Sequence, residues 1–170
     1  ITEAGADPDE LDADPEAIAA YARAALRPRF LDADVGITGA NFAVAETGSI
    51  VLVTNEGNGR LATSLPRVQV VVLGMERLVA DWAHLDLMLN LLARSASGQP
   101  LSSYTSISTG PRRPEETDGP DELHIVILDN GRSDLLAGEY HEMLGCIRCG
   151  ACLNVCPVFR QTGGHAYGWV

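Results

Sequence analysis

The sequence predicts an α/β fold in which a mixed sheet is flanked by helices. The continuous apolar run at residues 50–53 and the mainly apolar segments 68–74 and 123–128 predict buried strands. Residues 82–93 repeat apolar side chains at helical spacing, and residues 47–48 separate two apolar segments as a hairpin turn does. A hairpin within alternating strands and helices indicates a mixed sheet.

The first helix is predicted to begin after Asp14, a good N-cap residue, with Pro15 at its first position. Pro28 is predicted to end this helix, because proline lacks the backbone N–H that an interior position uses. Residues 1–14 are expected to form an acidic linker, and residues 31–39 a loop. The side chains expected to face the core are Ile18, Tyr21, Ala22, Ala25 and Leu26.

A candidate small-molecule site follows the hairpin at residues 41–54. Glu46 is a candidate acid, base or nucleophile, because a carboxylate between apolar strands is costly unless it is used or paired. A polar, glycine-rich loop then leaves the second strand, and such positions bind ligands in α/β sheets. A well-satisfied, solvated turn is the simpler alternative. The candidate anion-binding residues of this loop are Asn55, Glu56, Gly57, Asn58, Gly59 and Arg60.

Further elements are expected after residue 82. The strand at 123–128 carries His124, for which a core hydrogen bond is a simpler explanation than metal binding. A turn at 129–133 offers a second candidate anion nest, and Ser133 is expected to cap a helix from Asp134 to about Gly145. The apolar stripe expected on the helix at 82–93 consists of Leu85, Met88, Leu89 and Leu92.

All four cysteines of the chain lie in one run, Cys146-Ile-Arg-Cys149-Gly-Ala-Cys152-Leu-Asn-Val-Cys156-Pro157. This spacing, closed by proline, is the bacterial ferredoxin pattern. Thiolates are soft, strong ligands for iron, and short spacers let a tight loop wrap several of them around one cluster. The run therefore predicts a [4Fe–4S] ligand set, with Pro157 ending the helical turn that carries Cys156.

Other uses of four cysteines fit the spacing less well. A zinc site made of four cysteines usually needs two separated pairs, so that two knuckles converge on one ion. Such close spacing strains disulfides, and the sequence shows no secretory signal. Redox dithiols usually come as a single CxxC pair. Zinc remains the main alternative metal.

Cys156 leaves two arrangements open. In two-cluster ferredoxins the fourth cysteine of a run ligates the other cluster. Then Cys146, Cys149 and Cys152 hold one cluster, while Cys156 reaches toward a second whose remaining ligands lie outside this sequence. Otherwise Cys156 closes a single cluster. The chain begins with Ile1, so we expect it to be a piece of a longer protein.

Composition excludes several functions. The net charge is −11, from 23 acidic and 12 basic residues, which argues against nucleic-acid binding. Every basic residue is arginine, so this piece has no P-loop lysine and no Schiff-base lysine. No apolar run approaches the length of a membrane span. Thiolate-bound iron without a secretory signal indicates the cytoplasm.

Five motifs together resemble the LUD-domain iron–sulfur subunits of bacterial lactate-utilisation systems. The resemblance covers nearly the whole chain and is weakest at residues 1–14. The motifs are Gly39-Ala-Asn-Phe-Ala-Val-Ala-Glu-Thr-Gly, Thr54-Asn-Glu-Gly-Asn-Gly-Arg, Thr109-Gly-Pro-Arg, Leu128-Asp-Asn-Gly-Arg-Ser and the cysteine run with its Gly-Gly-His-Ala-Tyr-Gly tail.

The resemblance implies a cytoplasmic subunit of a complex that oxidises L-lactate to pyruvate, with two [4Fe–4S] clusters and partner subunits. It also implies a LUD domain similar in fold to the NagB/RpiA/CoA-transferase group. On this basis residues 15–140 are the later half of the LUD domain, and residues 141–170 carry the first of two cysteine runs. Two rival functions stay open. One is a ligand-binding or acyl-transfer domain with a structural cluster, and the other is a non-enzymatic redox sensor or assembly module.

Overall fold

The computed structural model describes residues 14–54 and 56–166, except the side chain of His165. The expected linker before Asp14 and the candidate residue Asn55 lie outside the described residues. The helices and strands in chain order are α1 (Pro15–Leu31), β1 (Val35–Gly39), β2 (Phe42–Val44), β3 (Ser49–Thr54), α2 (Asn58–Ser64), β4 (Val68–Gly74), β5 (Leu78–Val79), α3 (Trp82–Ser97), β6 (Tyr104–Ser108), β7 (Glu122–Leu128), α4 (Arg132–Ala137), α5 (Ala151–Val155) and α6 (Pro157–Thr162), with 3₁₀ helices at Met75–Arg77, His141–Gly145 and Gly164–Ala166.

The chain forms two compact units. The first unit combines Ile1–Thr38, Gly57–Val71 and Gly110–Val126. The second unit combines Gly39–Glu56, Val72–Thr109 and Ile127–Val170, and it contains the whole cysteine run.

In the first unit, α1 begins as predicted but extends further. Asp14 accepts a hydrogen bond from the Ala17 amide at 3.3 Å, and Pro15 occupies the first turn. The prediction that Pro28 ends the helix is wrong, since the Asp32 amide still donates to the Pro28 carbonyl at 2.9 Å. A proline removes one helical hydrogen bond, and here the turns on either side persist.

The predicted core face of α1 is only partly covered: no described residue of this helix is fully buried, and Tyr21, Ala22 and Ala25 are half-buried. Ile18 and Leu26 are 38% and 42% exposed. The hydrophobic spacing sets only which side chains share a face. Whether another element covers that face depends on tertiary packing, which the local sequence pattern does not specify.

A three-stranded sheet, most of whose residues belong to the first unit, has the strand order β1-β4-β7. The prediction of a loop at 31–39 is wrong for Val35–Gly39, which is β1. Gly36 is buried there, and a Cβ at this position would collide with the Ala62 carbonyl of α2. Strand β4 exists as predicted, but only alternate residues, namely Gln69, Val71 and Leu73, are buried, and the others are partly exposed, so the predicted burial of this strand is not complete.

Strand β7 exists as predicted, but the prediction that it is buried is wrong. It lies at the edge of the sheet order, and its side chains from His124 to Leu128 are all exposed. An edge strand has a neighbour on one side only, so a continuous apolar run need not be covered. His124 is 58% exposed and lies 3.5 Å from Glu122, so it is not a core residue.

The second unit contains the predicted hairpin and helix stripe. Its sheet has the order β5-β2-β3-β6, in which β2 pairs with β3 antiparallel and with β5 parallel. The sheet is therefore mixed, and the predicted α/β class is confirmed. Gly48 takes φ 69° in the turn, as hairpin turns favour. The buried core consists of Phe42, Val44, Val51, Val79, Leu85 and Leu92, with Met88 and Leu89 partly buried against it.

The helix predicted from Asp134 to Gly145 is shorter than expected. Helix α4 ends at Ala137, and a separate 3₁₀ helix occupies His141–Gly145. Ser133 lies inside α4 instead of capping it, since the N-cap residue is Gly131. Across residues 14–54 and 56–166, no helix combines the length and hydropathy that crossing a membrane requires.

Candidate metal centre and adjacent arginine cavity

The four cysteines lie on a segment of short helices in the second unit. Cys146 follows the 3₁₀ helix, Cys152 lies in α5, and Cys156 is the N-cap of α6. The Cys156 sulfur accepts a hydrogen bond from the Phe159 amide at 3.5 Å. Cys156 is also the C-cap of α5, so this short helix ends directly before Pro157, as predicted. Pro157 then begins α6, where a missing N–H is harmless.

Two residues in the left-handed conformation shape the loop between the first three thiols. They are Arg148, with φ 55°, and Gly150, with φ 78°. Glycine adopts this conformation freely, whereas arginine does so at a cost of roughly 1–2 kcal/mol. The structure around Arg148 therefore has to hold it there, and such held conformations concentrate at functional sites.

The loop is anchored on the core of the second unit. Ile147 and Cys149 pack against the buried cluster that includes Phe42 and Leu85. This contact holds the middle of the cysteine run against a rigid sheet and helix. The outer thiols remain more accessible, because Cys146 and Cys152 are exposed.

The donor set fits a [4Fe–4S] cluster, because soft thiolates on one tight loop are the ligands that such clusters use. All four cysteines lie in the described part of the chain, and none of them is in a disulfide. Within the described ranges, no three His, Cys, Asp or Glu side chains stand together as a metal site.

Beside the cysteine loop, two arginines contact one largely buried glutamate, Glu76, and Arg148 lines the same cavity. Arg132 Nε donates to Glu76 Oε2 at 2.6 Å, and Arg77 Nε lies 3.6 Å from Glu76 Oε1. The Glu76 and Arg77 side chains are each 10% exposed, and that of Arg132 is 22% exposed. Arg148 lies near enough to repel Arg77 electrostatically.

The charge state of this group follows from its surroundings. Burial lowers the pKa of Arg77 from its usual value, and repulsion by Arg148 and Arg132 lowers that pKa further. Glu76 and Cys146 act in the opposite direction and raise the pKa of Arg77. An arginine starts from so high a pKa that it keeps its charge in spite of such effects.

These charged side chains line a cavity of about 330 Å³, called the arginine cavity below. Gly74 leaves space for the Glu76 carboxylate, which a Cβ at Gly74 would meet. The cavity is thus built from the ends of strands and the cysteine loop together. Its lining residues are Gly39, Ala40, Asn41, Val72, Leu73, Gly74, Glu76, Arg77, Leu128, Arg132, Ile147 and Arg148.

The sequence-predicted acidic candidates occupy exposed positions in the second unit. Glu46 lies in the hairpin turn, and its backbone amide donates to the Ala80 carbonyl at 3.1 Å. The burial that made Glu46 a candidate is therefore absent, and its catalytic role stays a prediction. Glu56 is also exposed, at the end of the second unit's first segment.

The other candidates of the glycine-rich loop belong to the first unit and are not in a loop. Asn58, Gly59 and Arg60 form the first turn of α2, with Gly57 as its N-cap residue. The Gly59 amide donates to the Asn58 side chain at 2.7 Å, so this amide is already used. The expected loop is corrected to a helix start, and anion binding there stays a prediction.

The second candidate anion nest is filled by the chain itself. Asn130 and Gly131 are both left-handed, and the Asp129 carboxylate accepts the Ser133 amide at 2.7 Å and its hydroxyl at 2.6 Å. These hydrogen bonds hold the pKa of Asp129 below its usual value. The nest therefore caps α4 instead of binding a free anion.

Sequence reasoning missed the glutamate at the centre of the arginine group. Of Glu76, Arg77 and Arg132, only Arg132 lies in a segment with a stated sequence prediction, the turn at 129–133. The sequence signal that could have revealed this site is a pair of adjacent charged residues between apolar segments. In the structure the flanking residues Leu73 and Val79 are 3% and 7% exposed. Charged residues in such a place are normally paired or functional.

Comparison with known proteins agrees with this architecture. The family model described as "LUD domain" matches residues 5–128, and the one described as "4Fe-4S dicluster domain" matches residues 142–169. Lactate utilization protein B from Bacillus licheniformis is 57% identical over 154 residues, which cover 91% of this chain and 32% of that protein. The protein of the same name from Anoxybacillus flavithermus is 59% identical over 154 residues, covering 91% and 33%.

The chain spans about a third of the length of these curated relatives. A solved structure of a DUF162 family protein from Deinococcus radiodurans has a TM-score of 0.44 and 20% identity, covering 59% of this chain and 56% of that one. That similarity is too distant to support an argument. The domain match and the curated relatives confirm the resemblance drawn from the motifs: the chain belongs to the LUD-domain family.

Proposed function

We propose that the chain is part of the iron–sulfur electron-transfer subunit of a complex that oxidises L-lactate to pyruvate. One observation carries the proposal: a LUD domain is followed by a 4Fe-4S dicluster segment in a chain whose relatives are named lactate utilization protein B. The partners are the other subunits of that complex, and the complex acts in the cytoplasm. Electrons leave through the clusters to a partner or acceptor.

When bound, a [4Fe–4S] cluster supplies one-electron transfer. Cys146, Cys149 and Cys152 hold the first of two clusters, and Cys156 reaches toward the second. The core contacts of Ile147 and Cys149 support this assignment, because they fix the middle of the loop. A ligand loop held by packing keeps its geometry better than a free one.

The arginine group favours an electron-accepting role for this loop. Arg77 interacts electrostatically with both Cys146 and Arg148. Positive charge near thiolate ligands stabilises the added negative charge of a reduced site, which raises its reduction potential.

We assign residues 15–140 to the later half of the LUD domain and residues 141–170 to the first cluster-binding segment. The motif order and the two family matches support this division. It leaves the second cysteine run to the remainder of the longer protein.

The test uses the full-length protein that carries this chain, purified without oxygen together with its partner subunits. Its clusters are followed by ultraviolet–visible and EPR spectroscopy after addition of L-lactate, with D-lactate as the control substrate. Reduction of the clusters by L-lactate supports the proposal. Clusters that stay oxidised, although dithionite reduces them, would contradict it and favour a structural cluster.

Glu46→Gln examines the remaining acid–base candidate in the same assay. If Glu46 handles a substrate proton, the variant keeps the cluster spectra and loses turnover with L-lactate. Unchanged turnover would remove Glu46 from the mechanism.

A further inference from the structure

We propose that Arg77 raises the reduction potential of the first cluster and that Glu76 lowers it. The first cluster is the one assigned above to Cys146, Cys149 and Cys152. The inference rests on the proposed function only in that the cysteine run holds [4Fe–4S] clusters. All of these residues belong to the second unit.

Arg77 lies against the start of the cysteine loop. It lines the arginine cavity together with Ile147 and Arg148, the two residues that follow Cys146. Val79, two residues beyond Arg77, belongs to the buried core against which Ile147 packs. The fold therefore holds the guanidinium and the start of the loop in one place, and Arg77 interacts electrostatically with Cys146.

Burial makes the charge of Arg77 effective. The side chain is 10% exposed, so water and salt screen it little. The interaction of two charges is about four times stronger at an effective dielectric constant of about 20 than in bulk water. An exposed arginine such as Arg94 of α3 is screened by solvent.

Glu76 compensates the charge of Arg77 only in part. Arg77 Nε lies 3.6 Å from Glu76 Oε1, whereas Arg132 Nε donates to Glu76 Oε2 at 2.6 Å. In the part of the chain that the structure describes, Glu76 is the acid that forms an ion pair with Arg77. One negative charge is thus shared between two arginines, and the shorter contact is made by Arg132.

The other two arginines of the cavity have further partners. Arg132 also donates to the Asp129 carbonyl at 3.0 Å, so its guanidinium is directed at Glu76 and at its own turn. Arg148 lines the cavity but takes part in an interaction of its own. The excess positive charge proposed here is therefore that of Arg77 alone.

A fixed charge acts unequally on the two redox states of a cluster. Reduction adds one electron, supplied by an external reductant, so the negative charge at the site grows by one unit. A buried cation stabilises the reduced state more than the oxidised state, and a buried carboxylate does the opposite. Arg77 should therefore raise the potential, and Glu76 should lower it.

The experiment is a redox titration of the full-length, cluster-loaded protein, prepared without oxygen. Dithionite supplies the electrons through mediator dyes, and EPR spectra at each applied potential give the midpoint potential of each cluster. The first cluster is identified as the one whose signal Cys146→Ser removes. Iron and acid-labile sulfide per chain are measured first, so that a shift in potential is not confused with a loss of cluster.

Arg77→Gln should make the first cluster about 10-fold harder to reduce, which lowers its midpoint by about 59 mV for one electron. Glu76→Gln should shift the same midpoint upward. Arg77→Lys keeps the charge and should leave the midpoint close to that of the parent. Arg94→Gln, at an exposed position of the same unit, is the control and should shift neither cluster.

Shifts of opposite sign distinguish an effect of charge from a general loosening of the loop. An unchanged midpoint in Arg77→Gln, or shifts of the same sign in Arg77→Gln and Glu76→Gln, would overturn the proposal. If Arg77→Gln does not retain the first cluster, Glu76→Gln decides, and only an upward shift supports the proposal. Loss of this cluster in both variants would overturn it in favour of a purely structural ion pair.

Failure of this proposal is distinguishable from failure of the proposed function. If the midpoints are unchanged in the variants while L-lactate still reduces the clusters of the parent, the role of Arg77 is wrong and the function stands. If the midpoints shift as expected but L-lactate never reduces the clusters, the function is wrong and the role of Arg77 stands.

Discussion

Arg132 and Glu76 are joined by a 2.6 Å hydrogen bond between side chains that are 22% and 10% exposed. The pair connects the start of α4 to the 3₁₀ helix after β4. Arg77 and Arg148 complete the group, so a buried ion pair in the second unit lies beside the proposed cluster ligands. The stability of this unit should therefore depend on the charge of Glu76.

Glu76→Gln should lower the free energy of unfolding by about 3 kcal/mol, because it leaves the largely buried Arg77 and Arg132 without their carboxylate. Urea unfolding followed by circular dichroism measures the loss. Glu142→Gln, at an exposed position of the same unit, is the matched control and should change little. Equal losses in the two variants would show that the ion pair contributes nothing of its own.

Gly36→Ala should destabilise the protein by about 1–3 kcal/mol, because the new methyl group would collide with the backbone carbonyl of Ala62. Gly57→Ala is the comparison, since nothing lies within 4 Å of its Cβ position and its φ of −79° suits alanine. Thermal unfolding of both variants tests the contrast. If Gly36→Ala does not change thermal stability, β1 and α2 can move apart to accept the methyl group without a loss of free energy.

Acid should weaken the start of α4 through Asp129. Hydrogen bonds from Ser133 lower the pKa of Asp129 below its ordinary value of 3.8, so the folded state binds this proton less readily than the unfolded state. The stabilisation is therefore present above pH 3.8 and is lost as the pH falls through the lower folded pKa. Asp129→Asn should remove this part of the pH dependence when unfolding midpoints are compared with the parent at each pH.

Serine substitutions should divide the cysteines into two sets in the full-length protein. Changing Cys146, Cys149 or Cys152 should remove the EPR signal of one cluster, whereas Cys156→Ser should remove that of the other. Iron content per chain is measured alongside. Loss of the same signal in all four variants would instead show that Cys156 closes a single cluster.

The sequence allowed prediction of those features that local pattern controls. The hairpin at Gly48 and the stripe of α3 follow directly from turn chemistry and hydrophobic spacing. The continuation of α1 past Pro28 and the exposure of β7 were not predictable in this way. They depend on what packs against each element, which a local window does not contain.

The candidate site likewise contains one feature that local sequence predicts and others that depend on tertiary packing. The cysteine run is predictable because its ligand spacing is itself local. The arginine cavity is not, because Glu76, Arg132 and Arg148 come from three distant segments that only the fold brings together. Glu46 was chosen on expected burial, and the turn exposes it.

The most direct test of the central claim is analysis of iron, acid-labile sulfide and zinc in the full-length protein, prepared without oxygen. The account predicts iron and sulfide in equal amounts, an EPR signal of a [4Fe–4S] cluster after reduction, and no stoichiometric zinc. Zinc in place of iron, or no metal at all, would contradict it.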